Sequence, residues 1–486
     1  MQRFLVSRLT SPIAVLLACA TTLGCTEDEP SDTGCGPGST ADDCLLPHTL
    51  FVAHEGLLSS YDIQTGQERA GSVSGISAPV DLQALEDGSL IVNLTGTHEV
   101  LVTNGLTMLE VARHPSSGGE GRRPVHGYVT PERAGKQYWV AMNDGESGEP
   151  ATNSALFLDI TEGSPTRFEV AGEVGLGIGH HKGSFSATRE RVVAVGDVAD
   201  HDALSVYDYS DVENIELLAT FTGEDAGFDA PDPGEGEFDP FFCDPSYQRG
   251  RPPAPHGCAT ARVSGKAYCS VTSSGDVVAV DLDAPEPTFT RIATSGSGGG
   301  FMFAHPGGRY VYMQQETPRE GEGGEPCQIG QLVVVDATED AVVAEVPLFY
   351  DGPDCTEELA GTDAETANPG HSHFAHHGTL LYVPTSGGFN RSDARVDRVL
   401  VLDTSDPDAP VQLESIQVGV HTGHSASALS GDERWLFVVN TVDATVSQID
   451  ALSRSVVRTF EVGPNPKVVA TFGTVEGPSH VTGPVH

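Results

Sequence analysis

Short apolar runs recur along the whole chain, each bounded by Gly, Asp, Ser or Pro. They include Leu50–His54 (LFVAH), Ser89–Asn93 (SLIVN), Tyr138–Met142 (YWVAM), Arg191–Val195 (RVVAV), Asp276–Asp281 (DVVAVD), Arg309–Met313 (RYVYM), Gln331–Asp336 (QLVVVD), Leu380–Pro384 (LLYVP), Arg398–Asp403 (RVLVLD) and Trp435–Asn440 (WLFVVN). No segment sustains a helical period, so the pattern predicts strands and turns only. One order repeats: a strand, a turn such as PGGR (306–309) or SGDER (430–434), a second strand, then a strand closing on Asp. Hairpins in tandem at this spacing are the rhythm of β-propeller blades.

Counting the innermost strand of each repeat sets the architecture. Candidates are APVDLQAL (78–85), PVHGYVT (124–130), GHHKGSFSA (179–187), PHGCATARV (255–263), GGGFMFAHPGG (298–308), GHSHFAHHG (370–378) and HTGHSASALSG (421–431). The fold then starts at His48 on what reads as a second strand with no partner before it. NPKVVATFG (465–473) can supply that partner, joining last and first repeats so that no sheet edge is left open. The expectation is all-β: an eight-bladed propeller over residues 48–486, closed by the C-terminal strand, with seven blades as the fallback count.

The N-terminus reads as an address. Arg3 and Arg8 precede an apolar stretch, Pro12–Ala20, that is too short for an ordinary membrane span, and Thr22-Leu23-Gly24-Cys25 is similar to a lipobox. Residues 1–24 are therefore expected to be a lipoprotein signal peptide, with Cys25 lipidated and 25–47 an acidic flexible tether. The implied location is the Gram-negative cell envelope: a lipid-anchored protein of the outer membrane, facing the periplasm or the surface. The net charge of −43, from 69 acidic and 26 basic residues, argues against nucleic acid as a partner. In an oxidising compartment loop-closing disulfides are the default. Cys35 and Cys44 flank a small acidic loop, Cys327 and Cys355 flank a long insertion, and Cys243, Cys258 and Cys269 surround the PHG segment.

The chain's 18 histidines change the picture most. His126 lies in PVHG, His180 and His181 in GHHKG, His256 in PHG, His305 in FAHPGG, His371, His373, His376 and His377 in GHSHFAHHG, and His421 and His424 in HTGHS. Six successive repeats thus carry histidine on the innermost strand, and those strands surround the propeller axis. Convergent imidazoles are favoured donors for Zn²⁺, and adjacent glycines permit close backbone approach. The candidate ligands are His126, His180, His181, His256, His371, His373, His421 and His424. His305 reads as structural because of its turn context. His376 and His377, adjacent on a strand, would point opposite ways. Isolated His98, His114 and His201 read as surface residues.

With those segments in hand, the chain resembles the AztD-type periplasmic zinc metallochaperones, β-propellers that carry zinc to the solute-binding protein of an importer. The likeness lies in PVHGYVTPERAGKQYWVAMNDGESG (124–148), GHHKGSFSATRERVVAVGD (179–197), the Cys243…PHGCAT…YCSVTSSGDVVAVD stretch and RTFEVGPNPKVVATFG (458–473). It implies metal binding by His126, His181, His256, His371 and His373, zinc as the ion, an importer's solute-binding protein as partner, and a Cys243–Cys269 disulfide bracketing His256. The family's flexible His/Asp-rich loop has no clear counterpart here, and a lipid anchor departs from its usual soluble form.

Two other classes compete. A copper-dependent or lactonase-like propeller enzyme would also place histidines at the axis, and Cu²⁺ outranks Zn²⁺ in intrinsic affinity for such donors. A scaffold that binds no metal would use the same imidazoles to hold strands together.

Overall fold

A computed structural model describes residues 48–117, 122–144, 154–176, 181–196, 204–221, 255–271, 275–295, 297–320, 326–349, 371–385, 397–420 and 427–472. Those residues form eight four-stranded antiparallel sheets and no α-helix. The inner strands, in blade order, are Pro466–Thr471, Pro79–Ala84, Pro124–Val129, His181–Phe185, Pro255–Thr260, Ser297–Ala304, His373–Ala375 and Ser427–Leu429. The count is eight, and blade 1 takes its inner strand from the C-terminal segment. That strand pairs with Thr49–His54 in the register Leu50 to Thr471, Phe51 to Ala470, Val52 to Val469.

The apolar runs sit on second and third strands because both faces of each blade are covered. Such strands read as continuous rather than alternating hydrophobics. The core is accordingly a series of layers between neighbouring blades. Tyr128, Val140 and Met142 of blade 3 pack on Phe185 and Val192 of blade 4, and Cys258 and Val278 of blade 5 pack on Val193 and Val206 of blade 4. The inner strands of successive blades also lie against one another, and Phe303 faces Phe374 across blades 6 and 7 at 5.8 Å.

The closing Asp of each repeat has a structural cause. All eight third strands end in Asp or Asn: Asp62, Asn104, Asp159, Asp208, Asp281, Asp336, Asp403 and Asp450. Each side chain accepts the N–H two residues on, from Gln64, Leu106, Thr161, Ser210, Asp283, Thr338, Ser405 and Leu452, at 2.8–3.1 Å. These Asx turns aim the chain into the outer strand. Asp336 is the extreme case. Hydrogen bonds from Arg309 and Thr338 hold its carboxyl at about 2, against the opposing push of burial. A depressed carboxylate contributes stability that is complete above the unfolded pKa and is lost as pH falls through the folded one. The melting temperature should therefore drop between about pH 4 and pH 2, and Asp336→Asn should flatten that drop. An unchanged acid slope in the variant would refute this account of the turn.

The disulfide implied by the resemblance is corrected. Cys269 is bonded to Cys258, its direct cross-strand neighbour in blade 5, with Cα atoms 4.1 Å apart. Opposed positions in the closer type of antiparallel pair bring Cβ atoms within disulfide reach. Cys25, Cys35, Cys44, Cys243 and Cys355 lie outside the described residues, as does the side chain of Cys327.

Candidate cation site on the inner strands

The site is built by ladder register. Asp81 lies opposite Asn93, His126 opposite Met142 and Lys182 opposite Val195. In each blade the partner is the fifth residue of the second strand (Ser89–Leu94, Tyr138–Asn143, Arg191–Gly196), so blades 2, 3 and 4 present a polar side chain at one level. All three are buried. Side chains alternate between the two faces of a blade, and this face looks at the following blade. Asp81 Oδ2 accepts the Gly127 N–H of blade 3 at 2.6 Å. Tyr128, two residues beyond His126, accepts the Gly183 N–H of blade 4 at 3.2 Å. Burial, with Asp81 and Asp144 nearby, keeps the Tyr128 phenol protonated.

Lys182 continues the series and meets blade 5. Its side chain is fully buried, a rare state for lysine. Nζ lies 2.6 Å from His256 Nε2 and 3.0 Å from Nδ1. It also sits 4.7 Å from the centroid of the Phe301 ring of blade 6, a cation–π distance. Phe301 bridges His256 and His371, with ring centroids 5.6 and 4.6 Å away. The belt then runs on to blade 8, where Ser427 Oγ is 2.8 Å from His373 Nε2 and donates to the His371 carbonyl at 3.3 Å. Lys182 Nζ is thus enclosed between the His256 imidazole and the Phe301 ring.

Of the predicted ligands, His126, His256 and His373 are buried on inner strands of blades 3, 5 and 7, and half-buried His371 precedes its strand. They are not gathered: among the described residues no three His, Cys, Asp or Glu side chains are grouped to hold a metal ion. His181 begins the inner strand of blade 4, its side chain outside the described set, and His180, His421 and His424 lie wholly outside it. His305 is structural, as expected. Its Nδ1 accepts the Gly307 N–H, its Nε2 donates to the Gly378 carbonyl of blade 7, both at 3.0 Å, and burial lowers its pKa.

Three expectations are corrected. His376 and His377 are not on a strand; they form the turn after it, both with positive φ (51° and 56°). His114 is half-buried and binds the Phe168 carbonyl at 2.6 Å, in the turn that leads into the outer strand of blade 3. His98 is half-buried in a left-handed turn at φ 58°. Sequence reasoning also passed over Lys182 and Asp81. The available signal was their spacing, two positions before Ser184 and Gln83 on the same strand face.

The molecule is thus an eight-bladed propeller whose inner strands carry a buried lysine–imidazole–aromatic belt. No protein-family model matches the chain, and no curated protein does. Among solved structures it is similar to AztD of Citrobacter koseri, 13% identical with a TM-score of 0.53 over 90% of this chain and 99% of that one. The apo form of the same protein gives 13% identity and a TM-score of 0.52 over 87% and 96%. Identity this low establishes the shared fold, and function has to be argued from the site.

Proposed function

We propose that the chain is an exported, lipid-anchored propeller of the cell envelope that binds a divalent metal, zinc, with histidines of its inner strands. The reading is metallochaperone-like, with an importer's solute-binding protein as recipient. One observation carries it: buried His126, His256 and His373 lie on the inner strands of blades 3, 5 and 7, with half-buried His371 just before the last of these. Borderline divalent ions suit neutral imidazole donors. The AztD-like fold and the sequence segments resembling that family support the same reading.

The test is calorimetric titration of the purified full chain with zinc chloride. A His126→Ala, His181→Ala, His256→Ala variant should bind zinc more than about 100-fold more weakly, since even outer-shell losses cost 10–100-fold. Equal affinity in the two proteins would overturn the ligand assignment. A chain that takes up neither zinc nor copper would favour the scaffold, and tight copper with oxidase turnover would favour the enzyme.

A further inference from the structure

We propose that His54 is a pH-sensitive latch on the seam of the ring, and that its protonation loosens the closing strand Pro466–Thr471 while the other blades hold.

The position differs in kind from its equivalents. Four inner strands begin with proline, and the residue paired with that proline is Leu94, Asn143, Val271 or His54. Of these four only His54 can take up a proton, and it stands in the blade whose inner strand comes from the C-terminal segment. Its side chain is 3% exposed, and neither ring nitrogen has a hydrogen-bond partner among the described residues. Asn143 shows a polar group satisfied at the same place: its Nδ2 donates at 2.7 Å to the carbonyl of Ser116, in the linker entering blade 3. His54 makes no such bond, yet it touches the linker entering the closing strand. A Cβ added to Gly463 would run into the imidazole ring atoms.

Acid acts on this contact in one direction. Burial lowers the His54 pKa, against the opposing pull of the Glu55 backbone and of Glu68. The Glu55 carboxylate is engaged with the entry to blade 2, where it accepts the Ala78 N–H at 2.9 Å. Burial keeps Tyr61, on the third strand, protonated. Blade 8 contributes apolar Val439, Val446 and Phe460 to the same layer, and Lys467 occupies the bulge between the Ala53 and His54 rungs. A proton on the ring therefore has to be met by water, which enters by lifting the linker. A depressed imidazole contributes stability that is complete above its ordinary value of 6.5 and is lost as pH falls through the folded value. The first rung of the closing strand yields most easily, because Pro466 has no N–H to give and the ladder is already bulged there.

The experiment is amide hydrogen exchange on the full-length protein at pH 7.5 and pH 5.0, expressed as protection factors to remove the intrinsic effect of pH. An imidazole titrating at about 6.5 in the open form favours opening by at most about 30-fold at pH 5.0. Protection across Lys467–Thr471 should fall about tenfold, within that ceiling, while Tyr138–Asn143 of blade 3 changes by less than about twofold. His54→Asn and His54→Leu should each keep closing-strand protection constant between the two pH values. Protection that acid leaves unchanged in the unsubstituted protein, or lowers equally in both variants, would overturn the latch. An equal fall in blade 3 would overturn it too, since acid would then be loosening the whole ring.

A readout on the unsubstituted protein covers variants that misfold. Deuterium exchange at the C2 position of the His54 ring, followed by mass spectrometry, gives the titration midpoint of that one residue. The midpoint should lie below 6.5 and coincide with the pH at which the closing strand loses protection. A midpoint at or above 6.5, or one separated from that loss, would also overturn the inference.

Discussion

Ending the chain at Gly463 abolishes the cooperative unfolding transition. Without Pro466–Thr471, blade 1 loses its inner strand, and Thr49–His54 becomes an open edge facing the axis. Leu50, Phe51, Val52 and Ala53 are fully buried in the closed ring, and Val468 and Val469 pack in the same layer with Phe437 and Val439 of blade 8. The hydroxyl of Thr471 donates to the Leu429 carbonyl at 2.6 Å, a direct tie between blades 1 and 8. Exposing two or three such side chains costs about 3–9 kcal/mol, comparable with a typical domain's whole stability. Urea denaturation followed by tryptophan fluorescence reads the result. A truncated chain unfolding within 0.5 M or so of the full-length midpoint would mean that closure is not what holds the ring.

Gly257→Ala destabilises the protein by about 3 kcal/mol, the upper range for overpacking a core, whereas Gly183→Ala costs about 1 kcal/mol. The contrast is not one of distance. A Cβ on Gly183 would meet the Met142 Cε tip at 2.6 Å, and on Gly257 the Gly300 carbonyl oxygen at 2.7 Å and the Met302 nitrogen at 2.9 Å. The methionine tip can rotate away. The backbone of blade 6 cannot, because Ser270 Oγ donates to the Gly300 carbonyl at 2.6 Å and accepts the Gly257 N–H at 3.0 Å. The inner strands of blades 5 and 6 are therefore held at a separation that only glycine fits, beside His256. Equal unfolding free energies for the two variants would show that blade 6 relaxes and that this close approach is soft.

Much of the fold was legible because its causes are local. Continuous apolar runs such as VVAV and LVVV mark strands covered on both faces, and a terminal Asp marks an Asx turn made within three residues of itself. The missing partner of the first strand announced closure, since an unpaired inner edge has nowhere to hide. His305 was readable for the same reason, its PGG turn supplying one of its two hydrogen bonds.

The rest turned on relations between blades. GHHKG and PHG are 74 residues apart at Lys182 and His256, and nothing in either segment tells that the lysine meets the next blade. A lysine beside two histidines looks solvated, yet strand parity turns it inward. Cys269 chose Cys258 through ladder register, and His376 and His377 left the strand because it ends at Ala375.

What the amino-acid order determined by itself was the set of eight repeats, their strands and turns, and the enrichment of imidazole at the innermost ones, because period, turn chemistry and composition act over a few residues. What only the tertiary structure decided was which side chains share the axis and on what terms. Parity and bulges fix the direction of each side chain, and the stacking of neighbouring blades fixes its partner.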